Sequence, residues 1–167
     1  MEGQNLDGDI MGKLSELIET LKSLQFRLAS AESCTGGLVS SYLTCMAGSS
    51  DVFLGGVCSY SWDAKIKHLQ VSKQLLQNGG SVQEKVAIQM AQGVRAMFSS
   101  EVGISVTGVA GPGVERSTDK QGDVWLAWDI RGCISTKYLQ ITGDRQTIRS
   151  RASIQAIVEL CNLLRDK

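Results

Sequence analysis

Histidine and proline are nearly missing from this chain, which has one of each among its 167 residues. The single histidine, His68, leaves a Ser-His-Asp triad only one candidate base, and it sits in a lysine-rich stretch that reads as a surface helix. Net charge is lacking too: 17 basic and 17 acidic side chains cancel, so no global field draws in nucleic acid or an acidic membrane. The five cysteines, Cys34, Cys45, Cys58, Cys133 and Cys161, are odd in number and contain no Cys-x-x-Cys pair. That argues against a disulfide framework and a zinc site and points to a reducing compartment. No run approaches the ~20 apolar residues that span a bilayer. Glu2, Asp7 and Asp9 open the chain without the basic region or apolar run of a signal peptide, so the cytoplasm is the expected location.

What is present is ordinary globular composition, 43% hydrophobic and 20% charged, in a length suited to one domain with its own core. Residues 1–9 read as a flexible leader and residues 10–167 as a single α/β domain. Apolar residues spaced by three and four predict a helix over about 10–24, and residues 26–30 a first strand. Leu38, Val39, Tyr42, Leu43 and Met46 mark the inner face of a second helix. Residues 52–60 read as a strand buried on both faces, and residues 61–69 as a short helix capped by Ser61 or Asp63. Ser81-Val82-Gln83-Glu84 has capping-box spacing ahead of a long helix. A strand over 102–106 follows, then two strands around Arg131-Gly132 with the signature of a hairpin, and a last helix that Asp144 is placed to cap.

Alternation early and a hairpin late predict a three-layer α/β/α sandwich around a mixed, mostly parallel five-stranded sheet containing one antiparallel strand. Ligands in such sheets bind off the carboxyl ends of the strands, where Ser33, Tyr60 and Thr107 fall. Trp125 and Trp128 do not share a face, which leaves core packing for at least one and an interface or stacking role open for the other.

The chain is organised around residues 29–37, Ala-Ser-Ala-Glu-Ser-Cys-Thr-Gly-Gly, where a strand of small residues runs into a glycine-opened helix. Glycines allow close backbone approach, and a helix start presents unpaired N–H groups to an anion. Read alone, Ser33 is first a helix N-cap; as a nucleophile it needs a base. Lysine serves that purpose once desolvation lowers its pKa, and Lys65, one turn into the helix after Tyr60, can stand beside Ser33. Cys34 is a rival nucleophile whose commoner role is that of a small buried thiol. A second glycine-rich loop, residues 107–113, holds the only proline.

Four stretches together resemble the CinA C-terminal domain family: residues 31–37, Tyr60-Ser61 with Ala64-Lys65, residues 107–113, and Gly143-Asp144-Arg145. Their order and spacing match, and the likeness covers about residues 10–165. Active members are nicotinamide mononucleotide amidohydrolases, so the resemblance implies hydrolysis of a pyridine carboxamide to a carboxylate with release of ammonia. It implies Ser33 as nucleophile, Lys65 as general base and Tyr60 as a hydrogen-bonding member of the catalytic group, without metal or cofactor. Thr35, Gly36 and Gly37, or Thr107, Gly108, Gly111 and Gly113, are candidates for the oxyanion hole or the phosphate seat. Arg145 is a candidate for a phosphate or a neighbouring subunit. The expected partner is a small pyridine nucleotide, with no nucleic acid or membrane, and the expected assembly a homo-oligomer.

The chain departs from the family pattern at Trp62, where an Asn is usual, and over residues 114–121, where a Gly- and Pro-containing run is usual. Those departures carry the alternative reading: a CinA-like paralogue that kept the fold and binds a nucleotide or a partner without turnover.

Overall fold

The computed structural model describes residues 6–165 and 167. Helix α1 (Leu6–Leu24) leads into strand β1 (Leu28–Glu32), helix α2 (Leu38–Thr44) and strand β2 (Phe53–Cys58). Helices α3 (Trp62–Leu69), α4 (Lys73–Gly79) and α5 (Glu84–Phe98) follow, then strands β3 (Val102–Gly108), β4 (Asp123–Ile130) and β5 (Cys133–Gln140), and helix α6 (Arg145–Leu164). The sheet order is β2-β1-β3-β4-β5; β1 pairs in parallel with β2 and β3, while β4 runs antiparallel to both its neighbours. One strand of five therefore points the other way, and helices cover both faces, as the order of elements predicts.

The two faces of the sheet differ in what they accept. Toward α1, α2 and α6, the strands present large side chains: Leu28, Val102, Ile104, Val106, Leu126 and Trp128, all buried with Leu14, Leu17, Leu21, Ile157 and Leu160. Trp128 settles its one polar atom by donating Nε1–H to the Ala156 carbonyl at 3.0 Å. Toward α5 the same strands present small ones: Ala29, Ala31, Gly103, Ser105 and Ala127. Helix α5 answers with Ala87 and Ala91 and lies close enough for Ser105 Oγ to donate to the Ala87 carbonyl at 2.7 Å. Trp125, on this face, tilts against Tyr138 with ring centroids 5.3 Å apart.

Several expectations are corrected. The helix predicted from residue 10 begins at Leu6, so residues 6–9 of the expected leader are helical, while residues 1–5 lie outside the described residues. Strand β1 ends at Glu32 rather than Ser30, because its pairing with β2 and β3 continues through Ala31 and Glu32. Strand β2 is not buried on both faces: it is the edge of the sheet, and its residues alternate between half-buried and exposed. Ser81 is not a helix cap, since α5 starts from Gln83 and the Ser81 hydroxyl is turned toward Glu115. Helix α4 has no counterpart among the elements expected from the sequence, its seven residues being too few to show a period. The hairpin is as expected: Arg131 and Gly132 both take positive φ, 52° and 91°, the requirement of a tight two-residue turn.

One close approach positions α3. Gly93 of α5 faces the end of α3 so tightly that a Cβ there would stand 2.1 Å from the Leu69 carbonyl oxygen. A backbone atom cannot rotate aside, so Gly93→Ala is expected to lower the unfolding free energy in urea by about 1–3 kcal/mol. Gly113→Ala, which meets nothing within 4 Å, serves as the control.

Candidate active site

The parallel strands β2, β1 and β3 end at one edge, and backbone bonds continue the sheet one residue past them. Ser33 N–H donates to the Val106 carbonyl at 3.0 Å, and Ser59 N–H to the Glu32 carbonyl at 2.8 Å. Ser33 is thereby fixed between the ends of β1 and β3. From the other side comes Lys65, on α3. It shares a buried helix face with Leu69, four residues on, so the helix carries an amine at a position its period reserves for an apolar side chain. Lys65 is fully buried, and its Nζ donates to Ser33 Oγ at 2.8 Å and to the Ser59 carbonyl at 2.6 Å. Burial pushes the Lys65 pKa down to about 8, against a smaller upward pull from Glu115. Cys34, next to Ser33, is a thiol that burial pushes up to about 12, which disfavours the reactive thiolate.

The turn after Ser33 is stabilised by a buried carboxylate. Gly36 and Gly37 both take positive φ, 61° and 99°, and α2 begins without a side-chain cap of its own. Glu32 supplies one: Oε2 accepts from Gly37 N at 2.8 Å and Val39 N at 3.1 Å, and Oε1 from Ser40 N at 2.9 Å and Ser40 Oγ at 2.7 Å. The helix start expected to seat an anion is thus filled by the protein's own carboxylate. Gly36 and Gly37 do not line the cavity, and the Gly36 N–H is itself bonded to the Ser33 carbonyl at 3.1 Å. Thr35 is fully buried, and its hydroxyl has no hydrogen-bond partner among the described residues.

Arg149, on α6, binds the carbonyls of the same turn. Its Nε donates to the Cys34 carbonyl at 3.1 Å and its Nη2 to the Thr35 carbonyl at 2.8 Å. Neither Glu32 nor Arg149 was singled out from the sequence. Arg149 follows Arg145 by four residues and so shares its helix face, which is the signal that could have found it.

The cavity in front of Ser33 has a volume of about 250 Å³. Gly108, Gly111 and Gly113 line it, whereas Thr107 stands behind them, buried, with its hydroxyl donated to the Ser81 carbonyl at 2.9 Å. Arg145 reaches across the opening, donating Nη1–H to the Gly111 carbonyl at 2.6 Å and Nη2–H to the Tyr60 hydroxyl at 3.1 Å. Tyr60 lines the cavity but is 63% exposed, and its hydroxyl meets Arg145 rather than Ser33 or Lys65. The two departures from the family pattern meet each other: Trp62 Nε1 donates to Glu115 Oε1 at 2.6 Å. The other oxygen of Glu115 accepts from Ser81 N at 3.0 Å and from the Ser81 hydroxyl. His68 is exposed on α3 and takes no part. Among the described residues no group of three or more His, Cys, Asp or Glu could hold a metal, and no helix is long and apolar enough to cross a membrane.

Comparison with known proteins bears on the family and the fold. A family model described as CinA C-terminal domain matches residues 12–164. A CinA-like protein of Kosmotoga olearia is 40% identical over 141 residues, 84% of this chain and 34% of that protein. A putative competence-damage inducible protein of Clostridioides difficile is 44% identical over 159 residues, 95% of this chain and 37% of that protein. The chain thus spans about a third of the length of these curated relatives. The crystal structure of a competence-damaged protein (CinA) superfamily protein from Escherichia coli superposes with a TM-score of 0.92 at 35% identity, covering 96% of this chain and 94% of that one. One from Klebsiella pneumoniae gives 0.92 at 29% identity, covering 98% of this chain and 100% of that one.

The buried amine has a consequence for stability. Between its folded value of about 8 and the ordinary lysine value near 10.4, the unfolded chain binds more protons than the folded one, so stability rises with pH through that window. Relative to Lys65→Met, the wild type is expected to gain up to about 3 kcal/mol of unfolding free energy from roughly pH 7 to roughly pH 10.5. Urea denaturation at both pH values reads the difference, and parallel pH slopes for the two proteins contradict it.

Proposed function

The chain belongs to the CinA C-terminal domain family, and from that membership we propose that it is an amidohydrolase that converts nicotinamide mononucleotide, or a close pyridine nucleotide, to the carboxylate and ammonia. The observation that carries the reading is the 2.8 Å bond between the buried Lys65 amine and Ser33 Oγ. With a pKa of about 8, roughly one Lys65 in ten is uncharged at neutral pH, enough for a general base.

In this reading the substrate carboxamide lies against Ser33 with its ring in the cavity and its phosphate toward Arg145. Neutral Lys65 takes the Ser33 hydroxyl proton as Oγ bonds to the carbonyl carbon, giving a tetrahedral oxyanion. The ammonium of Lys65 returns that proton to the amide nitrogen, the C–N bond breaks and ammonia leaves. Water then attacks the ester, giving its proton to Lys65, and Ser33 Oγ departs and is reprotonated. The loop of Gly108 and Gly111 lines the cavity and is the candidate for the oxyanion hole, while the N–H groups of Gly36 and Gly37 are already committed. Glu32 holds backbone N–H groups of the nucleophile's turn and Arg149 its carbonyls. A second reading, ligand binding without turnover, is favoured by the Trp62–Glu115 bond, which brings a bulky indole to the cavity wall.

An ammonia assay with nicotinamide mononucleotide separates the two. Release is expected from the wild type, falling by about a thousandfold or more in Ser33→Ala and Lys65→Ala. Lys65→Arg is expected to be equally inactive, because a guanidinium cannot give up its proton. The acid limb of kcat/KM is expected to rise about tenfold per pH unit up to about 8, following Lys65 deprotonation. Turnover that survives Ser33→Ala would falsify the mechanism, and ligand binding without ammonia favours the second reading.

A further inference from the structure

Glu115 is an acidic group at the wall of a cavity whose chemistry needs an uncharged lysine, and its partners are unusual. Both carboxylate oxygens are held, one by the Trp62 indole N–H at 2.6 Å and the other by the N–H of Ser81, at 3.0 Å, and its hydroxyl. All three donors are neutral, and among the described residues no lysine or arginine forms an ion pair with it. Lys65 feels its charge, but the Lys65 amine is bonded to Ser33 and Ser59 instead. The positive group of Arg145 is turned toward Gly111 and Tyr60. The same bond that holds Glu115 fixes the orientation of the Trp62 ring, which is 37% exposed and lines the cavity. An oriented indole face beside a carboxylate with neutral partners only is a setting for a planar cation: the ring quadrupole and the full negative charge attract the same ligand.

We propose that Trp62 and Glu115 form a subsite for the positively charged ring of the substrate, selecting an N-substituted pyridinium carboxamide over the same compound with an uncharged ring. The proposal rests on the cavity in front of Ser33 being the substrate site. It gives the two departures from the family pattern one joint role, in which the indole stacks on the ring and the carboxylate balances its charge. Both groups are partly open to water, so the discrimination is on the order of tenfold.

Binding is measured without turnover, by calorimetric titration of Ser33→Ala protein with nicotinamide mononucleotide and with its 1,4-dihydro form, whose ring is neutral. The cationic form is expected to bind about tenfold more tightly, and Glu115→Gln, added to Ser33→Ala, to lower the ratio to about two- to threefold, the share left to the indole. Trp62→Leu is expected to weaken the cationic form several-fold. Equal affinities in the Ser33→Ala protein, binding of neither form, or a ratio that Glu115→Gln leaves unchanged each overturn the subsite. Tighter binding in Trp62→Leu marks the indole as a plug and overturns it as well. Ammonia release by the wild type without charge discrimination removes the subsite and leaves the amidase reading standing; charge discrimination without ammonia release supports the subsite and removes the amidase.

Discussion

A primary amine held out of water beside a serine hydroxyl is the constraint on which the site depends. An apolar side chain at position 65 would suit α3 better, since the buried face it shares with Leu69 packs toward α5. Burial of the amine is tolerated because its hydrogens meet the Ser33 hydroxyl and the Ser59 carbonyl, both supplied by the extended ends of the sheet. Those ends are held in turn by backbone bonds, and α3 by the bare backbone approach of Gly93 to Leu69. The cost of charge burial is what moves the lysine toward the pH range where a base is useful, so stability and reactivity draw on the same contact.

Two carboxylates in this region show how environment divides the roles of one functional group. Glu32 has its charge spread over three backbone N–H groups and a hydroxyl at the start of α2, where the helix field favours it. It is structural and inward. Glu115 lies on an exposed loop, held by an indole and a serine, and its charge is directed at whatever enters the cavity.

The parts of this arrangement that follow a local period or a local spacing were legible in the sequence. The apolar stripes of α1 and α6, the Arg131-Gly132 hairpin and the strand ends carrying Ser33 and Tyr60 are of that kind. A helix placed after the second parallel strand allows Lys65 to stand beside Ser33, and the family resemblance pairs the two, but the contact itself is set by the fold. What escaped was set by partners distant in the chain. Glu32 reads as the polar end of a strand, and only its fold-back under residues 37–40 shows that it excludes an anion from the helix start. Ser81 and Glu84 have the spacing of a capping box, yet Glu115 claims the Ser81 hydroxyl from 34 residues away. A continuous apolar run made residues 52–60 look interior, but sheet order, which no single strand encodes, puts β2 at the edge.

The reversed direction of β4 separates the molecule into two ends with different freedoms. Because β4 starts beside the carboxyl end of β3, with Val124 opposite Gly108, it delivers the turn at Arg131 and Gly132 to the far side of the sheet, where Ile130 pairs with Val102. Cys133, the residue after that turn, is exposed, and a spectroscopic label carried there is kept a full strand's length from the cavity without disturbing the positive φ of Arg131 and Gly132.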